Sequence, residues 1–96
     1  MRRTTQPFDP ADYLETPGAI SAYLEAAMED GDPKLIAAAL GDIARASGMS
    51  RIAREAGLSR EALYRSLSAD GHPELVTIVK VLKALGLRLA AVPADS

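Results

Sequence analysis

Apolar residues recur at helical spacing in two stretches of the first half of the chain. The first stripe consists of Ile20, Tyr23, Leu24, Ala27 and Met28, and the second of Ile36, Ala39, Leu40, Ile43 and Ala44. Each stretch opens with a capping residue followed by proline, at Thr16 and at Asp32, which is typical of a helix start. Gly31 and Gly48 follow the two stretches. The pattern therefore predicts two consecutive amphipathic helices.

Residues 49–67 show a different arrangement, in which two short apolar patterns are separated by a turn. The first pattern contains Ile52 and the small residue Ala53, and the second contains Leu63 and Leu67. Gly57 between them suits a left-handed backbone, and Ser59 in the same turn can cap the second helix. A small residue at position 53 lets the two helices cross closely. This spacing predicts a helix-turn-helix over residues 49–67.

A final helix is predicted by an apolar stripe that Gly86 ends. The inward residues of this stripe are Leu75, Ile78, Val79, Leu82 and Leu85. The segment from about 87 to 92 is then predicted to form a short β-strand, because its ends are rich in strand-forming residues. A lone strand has nothing to pair with in its own chain. We expect it to pair with the same strand of a second copy or with a sheet edge of another protein.

The ends of the chain complete the predicted domain organisation. Residues 1–8 show no periodicity and predict a flexible arm, and residues 11–14 can form one helical turn. Residues 9–92 are predicted to be a single helical domain, followed by a polar tail over residues 93–96.

Composition sharpens the fold class. The chain has 96 residues, of which 48% are hydrophobic, but only one Phe, three Tyr and no Trp. The core must therefore be aliphatic and rich in alanine, which favours an all-α domain. The absence of Cys fits a reducing compartment, and no apolar run is long enough to predict a membrane span or a secretion signal. We expect a cytoplasmic protein without a membrane partner.

Charge is distributed unevenly along the chain. The net charge of −2 argues at first against a nucleic-acid partner, because neutralised phosphates supply much of the affinity for DNA. Residues 1–44, however, contain three basic and eight acidic residues, whereas residues 45–68 contain five arginines and two glutamates. An acidic front half and a basic helix-turn-helix indicate two surfaces with different partners. Ordinary solvated surface is the alternative interpretation of this asymmetry.

No pattern in the sequence indicates catalysis. The single histidine, His72, lies in a loop with no second His and no Cys to share a metal ion. There is no glycine-rich phosphate loop and no serine nucleophile motif, and the carboxylates do not converge. We therefore expect neither enzyme activity nor a metal or cofactor.

Residues 48–89 resemble the Cro/C1-type (Xre) helix-turn-helix family. A closer likeness runs over most of the chain and is carried by Tyr13-Leu14, ISAYL at 20–24, Gly31-Asp32-Pro33, Ala46-x-Gly48-Met49, GLSRE at 57–61, Leu63-Tyr64, His72-Pro73 and LKALGL at 82–87. Together these residues are similar to the HigA-like addiction-module antidote proteins. The resemblance implies a compact five-helix, lambda-repressor-like domain with a short C-terminal β-strand. It also implies an antitoxin that binds DNA and pairs with a small RelE/ParE-superfamily (HigB-like) toxin.

The resemblance also assigns residues to DNA. If helix 60–67 enters the major groove, the residues nearest the DNA are Ser59, Arg60, Glu61, Tyr64 and Arg65. Arg60 would read guanine, Glu61 would accept a hydrogen bond from cytosine, and Tyr64 or Arg65 would reach a phosphate or a thymine methyl. Two alternatives stay open, because Glu61 also suits the first turn of any helix and Tyr64 can instead pack partly between helices.

The preceding helix would supply phosphate contacts through Arg51 and Arg54. Met49 stands where related repressors often place a polar phosphate-binding residue, so Ser50 is expected to take that role. Ser66 replaces the apolar residue that is usual late in the recognition helix, and Leu67 is expected to make the core contact instead.

These expectations combine into one function and two alternatives. The chain is predicted to be a dimeric repressor of its own operon, with double-stranded operator DNA as one partner and a cognate toxin as the other. The acidic front half or the C-terminal strand would bind and neutralise the toxin. The alternatives are a stand-alone phage-type Cro/C1 repressor without a toxin, and a protein-interaction module that has lost DNA binding.

Overall fold

The computed structural model describes residues 16–94, and these residues form five α-helices. In chain order the helices are α1 (Pro17–Asp30), α2 (Pro33–Ser47), α3 (Met49–Ala56), α4 (Arg60–Ser66) and α5 (Leu75–Ala84). α1 packs on α2, and α3 lies in the centre, where it contacts α2, α4 and α5. The predicted helical fold is confirmed within this range. The predicted arm (1–8), the predicted turn (11–14) and the last two residues of the tail lie outside the described residues.

The starts of α1 and α2 follow the predicted capping pattern. The Thr16 hydroxyl accepts a hydrogen bond from the Ala19 N–H at 3.1 Å, and the Asp32 carboxylate accepts one from the Lys34 N–H at 2.9 Å. Gly31 between the helices has a φ of +83°, a left-handed conformation that costs glycine little. The chain therefore reverses within two residues, and α1 and α2 form a hairpin.

The core is aliphatic, as the composition predicted. Its side chains come from all five helices, and buried alanines let the helices approach closely. The largest fully buried side chains are Leu40, Ile43, Ile52, Leu63, Leu67 and Val81. Both helices of the predicted helix-turn-helix are thus anchored in the same core as the α1–α2 hairpin.

Three residues that the periodicity assigned to the core are exposed instead. Met28 on α1 is 39% exposed, and Leu75 and Val79 on α5 are 67% and 42% exposed. The interface of α5 within the domain is mainly with α3, which covers only one side of it, and Val81 rather than Val79 is buried there. Met28 lies at the edge of the α1 stripe, beyond the side that faces the core. α5 consequently leaves part of its apolar surface in solvent.

Gly41 sets the distance between α2 and the end of α4. A Cβ atom at this position would collide with the main-chain oxygen of Leu67 and would come within 3.3 Å of the Arg45 guanidinium. Only glycine therefore allows the two helices to approach as closely as they do. The α1–α2 hairpin is held directly against α4 at this crossing.

The predicted C-terminal strand over residues 87–92 is not seen. These residues form neither helix nor strand, and Leu89 and Val92 are 42% and 76% exposed. A strand requires a neighbour for its hydrogen bonds, and residues 16–94 contain no strand with which it could pair. The Leu87 N–H instead donates to the Leu82 carbonyl at 2.8 Å, across the left-handed Gly86 that ends α5.

Candidate nucleic-acid interface

The turn between α3 and α4 has the predicted geometry. Gly57 ends α3 with a φ of +75°, and the Leu58 N–H donates to the Ala53 carbonyl at 2.9 Å. The side chain of Leu58 packs partly buried against the core. The Ser59 hydroxyl then accepts a hydrogen bond from the Ala62 N–H at 3.0 Å, which begins α4.

α4 uses very little of its surface for packing. Leu63 is its one buried residue, and Leu67, directly after the helix, is 1% exposed. Ser66 is only partly buried, and its hydroxyl donates to the Leu63 carbonyl at 3.3 Å. Leu67 therefore makes the core contact, as the sequence predicted.

All eight residues predicted to contact DNA are exposed. We call them together the α3–α4 surface, and they are Ser50, Arg51, Arg54, Ser59, Arg60, Glu61, Tyr64 and Arg65. This surface carries four arginines and a single glutamate, so it is positively charged. Glu61 lies in the first turn of α4, where a carboxylate also suits the helix dipole.

Two arginine side chains lie close to the ring of Tyr64. The guanidinium carbon of Arg60 is 6.0 Å from the centre of the Tyr64 ring, and that of Arg45 is 5.8 Å from it. Both distances fit a cation–π contact. Tyr64 is 42% exposed, so the ring also remains accessible to solvent. Arg45 and Arg60 therefore place two positive charges beside an exposed aromatic ring.

A chain of polar contacts extends from Tyr64 into the α1–α2 hairpin. Arg45 donates to one oxygen of the Asp42 carboxylate at 2.6 Å, and the Tyr23 hydroxyl donates to the other at 2.8 Å. Burial raises the pKa of Tyr23 above its ordinary value, and the hydrogen bond to Asp42 and its negative charge raise it further. Asp42 thereby connects α1 to the residues beside α4.

Arg51 is turned towards α5 rather than towards Tyr64. Its guanidinium donates to the Ala84 carbonyl at 3.3 Å and to the Glu55 carboxylate at 3.5 Å. The first contact satisfies a carbonyl at the C-terminal end of α5, which no residue within that helix can reach. Arg51 therefore has a structural role within the domain, and its phosphate contact stays a prediction.

Sequence reasoning missed Tyr23, Asp42 and Arg45 as part of this region. The spacing of Asp42 and Arg45, three apart on a predicted helix, indicates that they are neighbours. The contacts of Tyr23 with Asp42 and of Arg45 with Tyr64 cross between helices, however, so no local pattern predicts them.

The described residues offer no alternative site of the metal-binding or membrane-spanning kind. Residues 16–94 contain no group of three or more His, Cys, Asp or Glu side chains arranged to hold a metal ion. In the same range, no helix has the length and apolar character needed to cross a bilayer.

Comparison with known proteins identifies the family. The family described as "probable addiction module antidote protein" matches residues 4–93. A protein of Haemophilus influenzae (strain ATCC 51907 / DSM 11121 / KW20 / Rd), described as an uncharacterized protein, is 47% identical over 88 residues, covering 92% of this chain and 91% of that protein. No solved structure matches significantly. Because the family match spans both the α1–α2 hairpin and the α3–α4 surface, the whole described domain is common to the family. The chain belongs to the addiction module antidote proteins.

Proposed function

We propose that this chain is the DNA-binding antitoxin of a type II toxin–antitoxin module. In this proposal it has a lambda-repressor-like helix-turn-helix of the HigA-like Xre type, and α4 is the recognition helix. The observation that carries the proposal is the exposure of the α3–α4 surface. α4 buries only Leu63 and leaves Arg60, Glu61, Tyr64 and Arg65 in solvent. A surface of this charge and shape suits the major groove of DNA.

The exposed residues have separate roles in operator binding. Arg60 reads guanine through its two parallel N–H groups, Glu61 accepts from cytosine, and Tyr64 or Arg65 contacts a phosphate or a thymine methyl. Ser50, Arg51 and Arg54 bind phosphates and hold α4 in position. The Ser59 hydroxyl accepts the capping hydrogen bond and keeps its own O–H free to donate to a phosphate.

The operator complex is a dimer in this proposal. Two recognition helices about 34 Å apart would meet a palindromic operator one helical turn long. Exposed apolar side chains support self-association, because surface of this kind is usually covered by a partner. On α5 and the segment after it they are Leu75, Val76, Val79, Leu89 and Val92.

The second partner is a RelE/ParE-superfamily (HigB-like) toxin, which the antitoxin neutralises by direct binding. Membership of the antidote family supports a toxin partner. The toxin would bind the acidic front half or the C-terminal segment and leave the basic α3–α4 surface to DNA. The protein would act in the cytoplasm, without enzyme activity and without a cofactor.

Two measurements test the proposal. The first is a gel-shift titration of the full chain on its own promoter at two salt concentrations, where binding should weaken steeply as salt increases. The second is co-expression with the adjacent open reading frame, which should give a stable complex and rescue growth. Promoter binding without a complex would indicate a stand-alone repressor. A complex without promoter binding would indicate a protein-interaction module.

A further inference from the structure

An apolar groove of about 250 Å³ lies between α1 and α2. Tyr23 and Asp42 line one end of the groove, and alanines of both helices line its middle. Leu35 also lines the groove and precedes Asp42 by seven residues in the sequence. Seven helical residues correspond to about 10 Å, so Leu35 lies near the hairpin turn. Leu35 is 45% exposed. The groove is therefore open along a length that a large apolar side chain can occupy.

The surroundings of the groove are acidic. Residues 16–44 contain a single basic residue, Lys34, and the carboxylates Glu25, Glu29, Asp30, Asp32 and Asp42. Asp30 and Asp32 flank the turn at the Leu35 end. Glu29 and Asp30 also lie in the last turn of α1, where carboxylates oppose the helix dipole. An occupant that combines an apolar side chain with neighbouring Lys or Arg residues would complement both features.

The opposite end of the groove is connected to the α3–α4 surface through Arg45. Asp42 lines the groove and also holds Arg45, which lies over Tyr64. A cation of the occupant that paired with Asp42 would compete with Arg45 for the carboxylate. The negative charge beside the DNA-facing residues would be neutralised, and the Arg45 guanidinium would become available to a phosphate. Both changes strengthen attraction to DNA.

We propose that the α1–α2 groove binds the toxin through an apolar side chain flanked by Lys or Arg, and that docking there tightens operator binding through Asp42 and Arg45. This inference rests on the proposed function. It adds the surface that meets the toxin and the direction of its effect on the operator.

Binding of the toxin in the groove is tested with Leu35→Arg, which places a cation in the groove at an already exposed position. Met28→Arg is the matched control. Met28 has a similar exposure of 39% and does not line the groove. Calorimetry with the protein encoded by the adjacent open reading frame should show at least about tenfold weaker binding for Leu35→Arg and a change below about twofold for Met28→Arg. Circular dichroism checks that both variants are folded.

The coupling between toxin docking and operator binding is tested with Asp42→Asn, which removes the charge but keeps the size of the side chain. Fluorescence anisotropy with promoter DNA should show about two- to fivefold tighter binding than wild type without toxin, as expected for the release of one exposed ion pair. Added toxin should tighten the binding of wild type and have no further effect on Asp42→Asn. The coupling would be overturned if Asp42→Asn bound promoter DNA as wild type does, or if toxin tightened the DNA binding of Asp42→Asn as much as that of wild type.

The outcomes separate this inference from the function on which it rests. If wild type binds both toxin and promoter while Leu35→Arg binds toxin equally well, the groove is not the docking site but the antitoxin function stands. If Leu35→Arg alters the sedimentation of the antitoxin alone, the occupant is a second copy and the inference is overturned. Absence of toxin binding by wild type would remove the proposed function together with the inference.

Discussion

The guanidinium carbon of Arg45 lies 5.8 Å from the centre of the Tyr64 ring, which joins α2 to α4 through a cation–π contact. Arg45 is held in place from the other side by Asp42 at 2.6 Å. Tyr64, the one aromatic residue of α4, is therefore positioned by the acidic hairpin as well as by its own helix.

Replacing Arg60 with alanine should weaken binding to the operator by about 1–3 kcal/mol and relax the preference at one base position. The reason is the loss of two parallel hydrogen bonds to a guanine edge. Fluorescence anisotropy with operators altered at single positions measures both effects. Lys34→Ala, which removes a cation at the start of α2, serves as the control. Retained preference at every position would show that α4 is oriented differently in the groove.

Arg54→Ala and Arg51→Ala should each weaken binding to all DNA sequences alike. Each should also reduce the slope of log affinity against log salt concentration by about one. Arg51→Ala should in addition lower the free energy of unfolding, because the Ala84 carbonyl loses its donor. Salt titrations of DNA binding and urea denaturation separate the two effects. If Arg51→Ala destabilises the fold without changing the salt slope, the role of Arg51 is structural alone.

Gly41→Ala should lower the free energy of unfolding by about 1–3 kcal/mol, because the added methyl group meets the main chain of Leu67. Gly18→Ala is the matched control within the same hairpin. No atom lies within 4 Å of the corresponding Cβ position, so this change should be neutral or stabilising by up to about 1 kcal/mol. Urea denaturation measures both variants. Equal effects of the two substitutions would contradict the close crossing of α2 and α4.

Stability at alkaline pH should depend on Tyr23. The folded protein holds the pKa of Tyr23 above its ordinary value of 10.0, so the folded state retains the phenolic proton to higher pH than the unfolded state. The corresponding contribution to stability is complete below pH 10.0 and is lost as the pH rises through the higher pKa of the folded state. Denaturation of wild type and Tyr23→Phe across this range measures the difference. A pH-independent difference would contradict the raised pKa.

Much of the fold was predictable because local signals agree with the packing. Proline after Thr16 and after Asp32, left-handed glycine at position 57 and the serine cap at position 59 each mark a helix boundary that the structure confirms. These signals act within one helical turn. They are therefore readable from the sequence alone.

The errors concern features that depend on neighbours. Periodicity could not distinguish Val79, which is exposed, from Val81, which is buried, because α5 is apolar on more sides than α3 covers. The strand over residues 87–92 needs a pairing partner that the described chain lacks. The contacts of Arg45 with Tyr64 and of Tyr23 with Asp42 likewise depend on how the helices cross.

The small buried area of α4 has a consequence for the evolution of this protein. Leu63 and Leu67, the residue directly after the helix, hold α4 to the core, so the outward residues of α4 contribute little to folding stability. If α4 is the recognition helix, as we propose, a new operator preference can arise by substitution at a few solvent-facing positions, with no repacking of the interior. Duplicated modules in one genome could by this route acquire separate regulation while keeping the same scaffold.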